Sequence, residues 1–323
     1  KNFAGAEPQY RRLLESMERR LGADHEDFKT ILYELESLYR NVAPDKDAAP
    51  LYEWLLALKE EALGPVHEGL APTLAELGRQ HRRHGRPNKA VVIYERLLAV
   101  LEKSAAADQA DIAATFDALA FLYRGLNRPA DALPMYERLL AIEEKAEPAD
   151  QAEIARILFA LGEVYELLGR PGDAMPIVKR RLSVLEKLGI DSKESPSEIL
   201  TYYEKLLELQ ESVLGPRHPD VAETLNILGE QYERLDRRQD ATAMYERSLG
   251  IQEQSLGPAD PKIISTLAEL AKLYELQEHP DDALTVYRRL LDIHETAFGP
   301  DHPEIIGSLR KLADFFIDHS RSA

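Results

Sequence analysis

The residues in this sequence best suited to chemistry are histidines beside carboxylates. His218 stands in "LGPRHPD" (214–220) and His302 in "FGPDHPE" (298–304), while His25 and His67 hold matching places in "LGADHED" and "LGPVHEG". An imidazole next to a carboxylate is the pairing used in general acid–base catalysis and in many metal sites. A second pair, His81 and His84 in "QHRRHGR" (80–86), is three residues apart, a spacing that makes side chains neighbours on a helix surface. Either chemistry needs these groups to converge, so the elements that carry them decide the matter.

Those elements repeat. The string "YERLL" and its variants recur at Tyr10, Tyr52, Tyr94, Tyr136, Val178, Tyr203, Tyr245 and Tyr287; six of the seven intervals are 42 residues, and Val178 to Tyr203 is 25. Self-similarity at a fixed period marks an array of stacked units. Each full period holds two apolar stripes at helical spacing, and therefore two amphipathic helices. The first, helix A, follows Leu-x2-Leu-Gly/Ala-x2-Tyr, as in Leu225, Leu228, Gly229 and Tyr232, or Leu267, Leu270, Ala271 and Tyr274. The second, helix B, carries Ala-x3-Tyr, as in Ala132/Tyr136, Ala241/Tyr245 and Ala283/Tyr287. Small residues at the crossing let two backbones approach closely while the tyrosines fill the flanks. A mid-helix glycine costs about 1 kcal/mol of propensity, so its recurrence has a packing reason. Gly229→Leu is expected to overpack the crossing by about 1–3 kcal/mol.

These residues resemble the tetratricopeptide repeat, whose usual signature places Leu-Gly-x2-Tyr on one helix and Ala-x3-Phe on the next. The 42-residue period and the turn "LGPRHPDVAETLN" are similar to the kinesin-light-chain variety. The resemblance implies an all-α fold: an α-solenoid, wound as a right-handed superhelix of antiparallel helix pairs.

In this layout the histidines belong to the connection from helix B to the next helix A. Gly215 ends one helix, Pro216 and Pro219 prevent its continuation, and Asp220 favours the positive end of the next helix dipole. Successive turns are separated by about two helix spacings of 8–10 Å, too far to share a metal ion. His81 occupies the tyrosine position of its helix A and is expected to be packed rather than to ligate. No metal or cofactor is expected.

The short interval breaks the pattern. "SPSEILTYYEKLL" aligns with a helix B, and the missing residues correspond to a helix A and its turn. This predicts an N-terminal block at 1–188, a linker at 189–195 lacking a helix A, and a C-terminal block at 196–323, with the solenoid interrupted near 188–196. Ile199 stands where the other repeats have Ala, and Ser195 to Glu198 form a capping box with Pro196 at the first helical position. Seven residues reach at most ~25 Å, about the length of a 16-residue helix. The join therefore involves either a reorientation or a segment missing from this chain. Both ends also read as interrupted: the chain opens within a helix B, and its last helix carries Phe315, Phe316 and Ile317. Either the chain is a piece of a longer array, or self-association covers its uncapped ends.

Composition narrows the function. There is no cysteine, which excludes disulfides, thiolate metal sites and thiol catalysis. A net charge of −17 opposes non-specific binding to nucleic acid or anionic membrane. No apolar run approaches the ~20 residues of a membrane span, and the first residues do not read as a signal peptide. A soluble, cytoplasmic protein is expected. Phosphate-binding glycine loops, G-x-S-x-G and His-Glu-x-x-His are all lacking, so no enzyme activity is expected.

The family resemblance implies that helix A lines a concave groove. Carried over position by position, the groove residues are Tyr33, Arg79, Arg82, Arg83, Phe121, Arg124, Arg156 and Phe159 in the first block, with Asn226, Lys272 and Arg310 in the second. The first set is basic and aromatic within an acidic protein. It suits an extended peptide with acidic and apolar residues, since arginine grips carboxylates bidentately and phenylalanine anchors apolar groups. The competing reading makes the arginines a solvated face that balances nearby acids. The expected function is a protein–protein interaction scaffold. The alternative is a regulatory or sensor arm of a larger signalling enzyme, nucleotide-driven or protease-linked.

Overall fold

In the computed structural model, residues 3–22, 25–28, 30–31, 47–105, 107–188, 196–299 and 303–320 are described. Among them all regular structure is helical. The chain divides into two compact units, Lys1–Asp150 and Gln151–Ala323, and each is treated by itself.

The first unit contains α1 (Phe3–Leu21), α2 (Ala49–Leu63), α3 (Ala71–Arg83), α4 (Pro87–Leu101), α5 (Gln109–Gly125) and α6 (Pro129–Glu143). The second contains α7 (Gln151–Leu167), α8 (Pro171–Leu188), α9 (Pro196–Leu214), α10 (Pro219–Arg234), α11 (Arg238–Leu256), α12 (Ile264–Leu276), α13 (Pro280–Phe298) and α14 (Pro303–Ser320). From α2 to α6, and again from α7 to α14, each helix packs against the next in sequence. This is an all-α solenoid, built by stacking rather than by closure around one centre. No described helix is long and apolar enough to cross a membrane.

The crossings use the small residues as the sequence implied. A β-carbon on Gly78 of α3 would meet the Tyr94 ring of α4 at 2.8–3.0 Å, and one on Gly229 of α10 would meet the Tyr245 ring of α11 at 2.6–2.8 Å. Ala90, Ala132, Ala174, Ala241 and Ala283 of the B helices have no exposed surface. Ile199, at the same register in α9, is only half-buried and packs on the core formed by Leu200, Tyr203 and Leu206.

Two polar ladders run along the stacks. In the first, the helix A tyrosine donates to a helix B glutamate 28 residues earlier: Tyr232 to Glu204 at 2.7 Å, Tyr274 to Glu246 at 2.6 Å, and Tyr123 to Glu95. His81 stands at the tyrosine register, 2% exposed, with its Nε2 3.7 Å from Glu53, again 28 residues earlier. The second ladder joins successive B helices through arginines 36 residues beyond a glutamate: Arg138–Glu102 at 2.8 Å, Arg289–Glu253 at 2.5 Å, Arg96–Glu60 and Arg247–Glu211.

On the side of α9 that faces α7 the second ladder changes. Lys205, at the arginine register, bonds to Glu166 of α7 at 3.0 Å, and Tyr202 meets Phe159 of α7 with ring centroids 6.3 Å apart. These contacts follow the same order along both helices, so α9 runs parallel to α7, as a following helix A would. On its other side α9 behaves as a helix B, since Glu204 accepts from Tyr232 and Glu211 pairs with Arg247. A helix with a helix B sequence thus serves both roles. The expected linker 189–195, with Ser195 as the expected cap, lies outside the described residues. In α14, Phe315 is buried against Tyr287 with ring centroids 6.0 Å apart, whereas Ile306, Leu309 and Ile317 are exposed.

Candidate functional site

The turn histidines cap helices. His218 Nδ1 accepts the backbone N–H of Asp220 at 3.2 Å, His67 that of Gly69 at 3.0 Å, and His25 that of Asp27 at 3.3 Å. Asp260 does the same for Lys262 at 2.8 Å in the equivalent turn. Each side chain satisfies a first-turn donor that the helix cannot pair internally. Sequence reasoning assigned these turns to glycine, proline and the acid, and missed the imidazole as the cap. Gly215 precedes its turn at φ +91, in the left-handed region that glycine adopts most readily. His302 lies outside the described residues. Among the described residues no group of three His, Asp or Glu side chains could hold a metal ion.

The first unit has a groove of 770 Å³ between α3 and α5, with α4 beneath. Tyr94, Leu97 and Leu101 of α4 form an apolar floor, and Ala71, Ala75, Ala114 and Ala118 keep the walls low. Arg79 and Arg82 stand on the α3 side, facing Asp111 and Asp117 of α5. Arg79 is held by Glu76, one turn earlier, at 2.7 Å. Burial raises the Tyr94 hydroxyl above its ordinary value, against the opposing pull of Arg82 and Arg79.

The remaining sequence candidates divide between the units. Phe121 is 53% exposed on α5 and Arg124 half-buried a turn beyond it; neither lines the groove. Arg83 is exposed on α3. In the second unit Arg156 is tied bidentately to Glu153 at 2.5 and 2.8 Å, and Phe159 is 42% exposed on the same helix. Asn226 spends its amide on the Thr266 hydroxyl of α12 at 3.1 Å, and Lys272 is engaged by Glu233 at 2.6 Å and Glu269 at 2.9 Å. Arg310 is exposed on α14, and Tyr33 lies outside the described residues.

Repeated helix pairs, Gly–Tyr crossings and a shared turn point to one family. The chain matches the tetratricopeptide repeat family over residues 110–187, 194–254 and 220–296, more than half of its length. The chain is a tetratricopeptide repeat protein. No curated protein matches it at a significant level. Among solved structures, this tetratricopeptide repeat protein is similar to BtubC (BKLC) from P. vanneervenii, at 20% identity over 82% of this chain and 94% of that one, with a TM-score of 0.30. It is also similar to the TPR-like repeats of a putative kinesin light chain from Podosopora anserina, at 16% identity over 72% of this chain and 99% of that one, with a TM-score of 0.32. A third likeness is to YrrB, a TPR protein with an unusual peptide-binding site, at 16% identity, covering 81% and 100% of the two chains, with a TM-score of 0.27. These are likenesses of repeat architecture and transfer no residue roles.

Proposed function

We infer that this tetratricopeptide repeat protein is a non-catalytic interaction scaffold, and that the α3–α5 groove takes an extended peptide from a partner protein. The observation that carries the reading is the groove itself: an apolar floor of Tyr94, Leu97 and Leu101 beneath low alanine walls, with Arg82 on one side. Apolar side chains of the peptide would cover the floor. Glu76 already engages Arg79, which leaves Arg82 as the stronger attraction for a carboxylate. Asp111 and Asp117 on the opposite wall add a preference for a basic or amide group beside it. Mixed charge of this kind selects orientation as well as composition.

The test compares three forms of the full chain as bait in a lysate of the source cells: wild type, Arg82→Glu, and Ala114→Trp, which fills the groove from an exposed position. A partner retained by the wild type and lost from both variants, each with an unchanged far-UV circular dichroism spectrum, supports the reading. Partners captured equally by all three would refute it.

A further inference from the structure

The second unit contains a smaller cavity that the repeat pattern explains. At helix B positions that elsewhere read Tyr-Glu-Arg-Leu-Leu, α8 reads Val178-Lys179-Arg180-Arg181-Leu182. A β-carbon added to Gly162 of α7 would meet only Val178, at 3.6 Å, whereas one added to Gly229 would meet the Tyr245 ring at 2.6–2.8 Å. The outcome is a cavity of 240 Å³, open to solvent, between α7, α8 and α9. Leu158, Gly162 and Val178 line it, with Phe159, 42% exposed, and the half-buried Tyr202. Arg181, 7% exposed, contributes a guanidinium stacked 3.6 Å from the Tyr202 ring centroid and 4.8 Å from that of Phe159.

We propose that this cavity binds a tyrosine side chain presented by a partner protein. The molecule supplies its own template for the occupant. Tyr245 lies against Gly229 and donates its hydroxyl to Glu233, four residues further along α10, at 3.1 Å; Glu233 is also held by Lys272 at 2.6 Å. In α7 the residue four beyond Gly162 is Glu166, which lines the cavity and is held by Lys205 at 3.0 Å. Glycine and glutamate thus stand at the same registers, each glutamate is held by a lysine two helices further on, and what differs is Val178 in place of the ring and hydroxyl. A phenol entering beside Gly162 finds an acceptor in Glu166 and the flanking rings of Phe159 and Tyr202. Arg181 donates to the Ala155 carbonyl at 3.1 Å and to the Tyr202 hydroxyl at 2.7 Å, and so holds the Tyr202 ring at the cavity. At 240 Å³ the cavity is smaller than the roughly 300 Å³ at which small-molecule sites begin, and it suits one side chain. The inference concerns the second unit alone and does not depend on the groove of the first.

The experiment titrates the full chain, followed by NMR, with p-cresol as the tyrosine side chain, with toluene, and with the blocked peptide Gly-Gly-Tyr-Gly-Gly. Val178→Tyr supplies the missing ring, and Gly162→Leu fills the cavity from the opposite wall, so one variant remains informative if the other fails to fold. p-Cresol and the peptide are expected to bind the wild type, at least tenfold more weakly to either folded variant, and toluene several-fold more weakly than p-cresol. Binding unaffected by both substitutions, no binding of p-cresol, p-cresol no better than toluene, or p-cresol bound while the peptide is excluded would each overturn the assignment.

Discussion

The Tyr245 ring lies so close to Gly229 that a β-carbon on the glycine would stand 2.6 Å from its Cζ. Gly229→Ala is therefore expected to destabilise the second unit by about 1–3 kcal/mol, although alanine is the better helix former by roughly 1 kcal/mol. Gly162 is the internal control, since its added β-carbon meets only Val178, at 3.6 Å. Gly162→Ala is expected to be neutral or to stabilise by up to about 1 kcal/mol. Urea titrations of the two variants should move the midpoint in opposite directions, or at least leave Gly162→Ala unmoved; equal losses would contradict the packing argument.

Tyr232 links alkaline pH to stability. Burial, reinforced by the bond to Glu204, pushes its hydroxyl up to about 12. The folded value lies above the ordinary value of about 10, so the stabilisation is present below pH ~10 and is lost as pH rises towards ~12. Tyr232→Phe is expected to cost about 1 kcal/mol at neutral pH and to flatten the alkaline loss. Urea midpoints measured near neutrality and at about pH 11 check this; an unchanged alkaline slope would count against it.

His81 works in the opposite direction. Its burial, followed by the charge of Arg86, holds the imidazole below its usual value despite Glu53. The neutral form is favoured in the folded chain, so stability is full above pH ~6.5 and declines as the pH falls below it. His81→Tyr restores the register residue facing Glu53 and is expected to abolish that acid-side decline. Thermal melts at about pH 7 and pH 5 measure it, and equal declines in both proteins would refute the assignment.

The Arg289–Glu253 pair spans consecutive B helices at 2.5 Å, with each side chain 31% exposed. A double-mutant cycle is expected to give a coupling below about 1 kcal/mol that shrinks with added salt. Arg289→Ala should nevertheless cost more than Glu253→Ala, because the guanidinium also donates to the Pro258 carbonyl at 2.8 Å. The reverse order in urea midpoints would show that this carbonyl bond contributes nothing.

The 42-residue period, the helix pairs, the glycine and alanine crossings and the family resemblance were all legible in the residues. Each depends on positions that recur at constant spacing, and such spacing dictates which side chains face inward before any neighbour is known. The same regularity exposed Val178 and Ile199 as departures. Tertiary structure decided what those departures do. A 25-residue interval leaves the placement of α9 open, and packing resolved it by giving one helix two roles. Asn226 pairs with Thr266 40 residues away, and the cavity beside Gly162 has its third wall only because α9 brings Tyr202 and Lys205 to α7 and α8. Periodicity encodes the facing direction of a residue, while the partner it meets depends on which distant backbone arrives there.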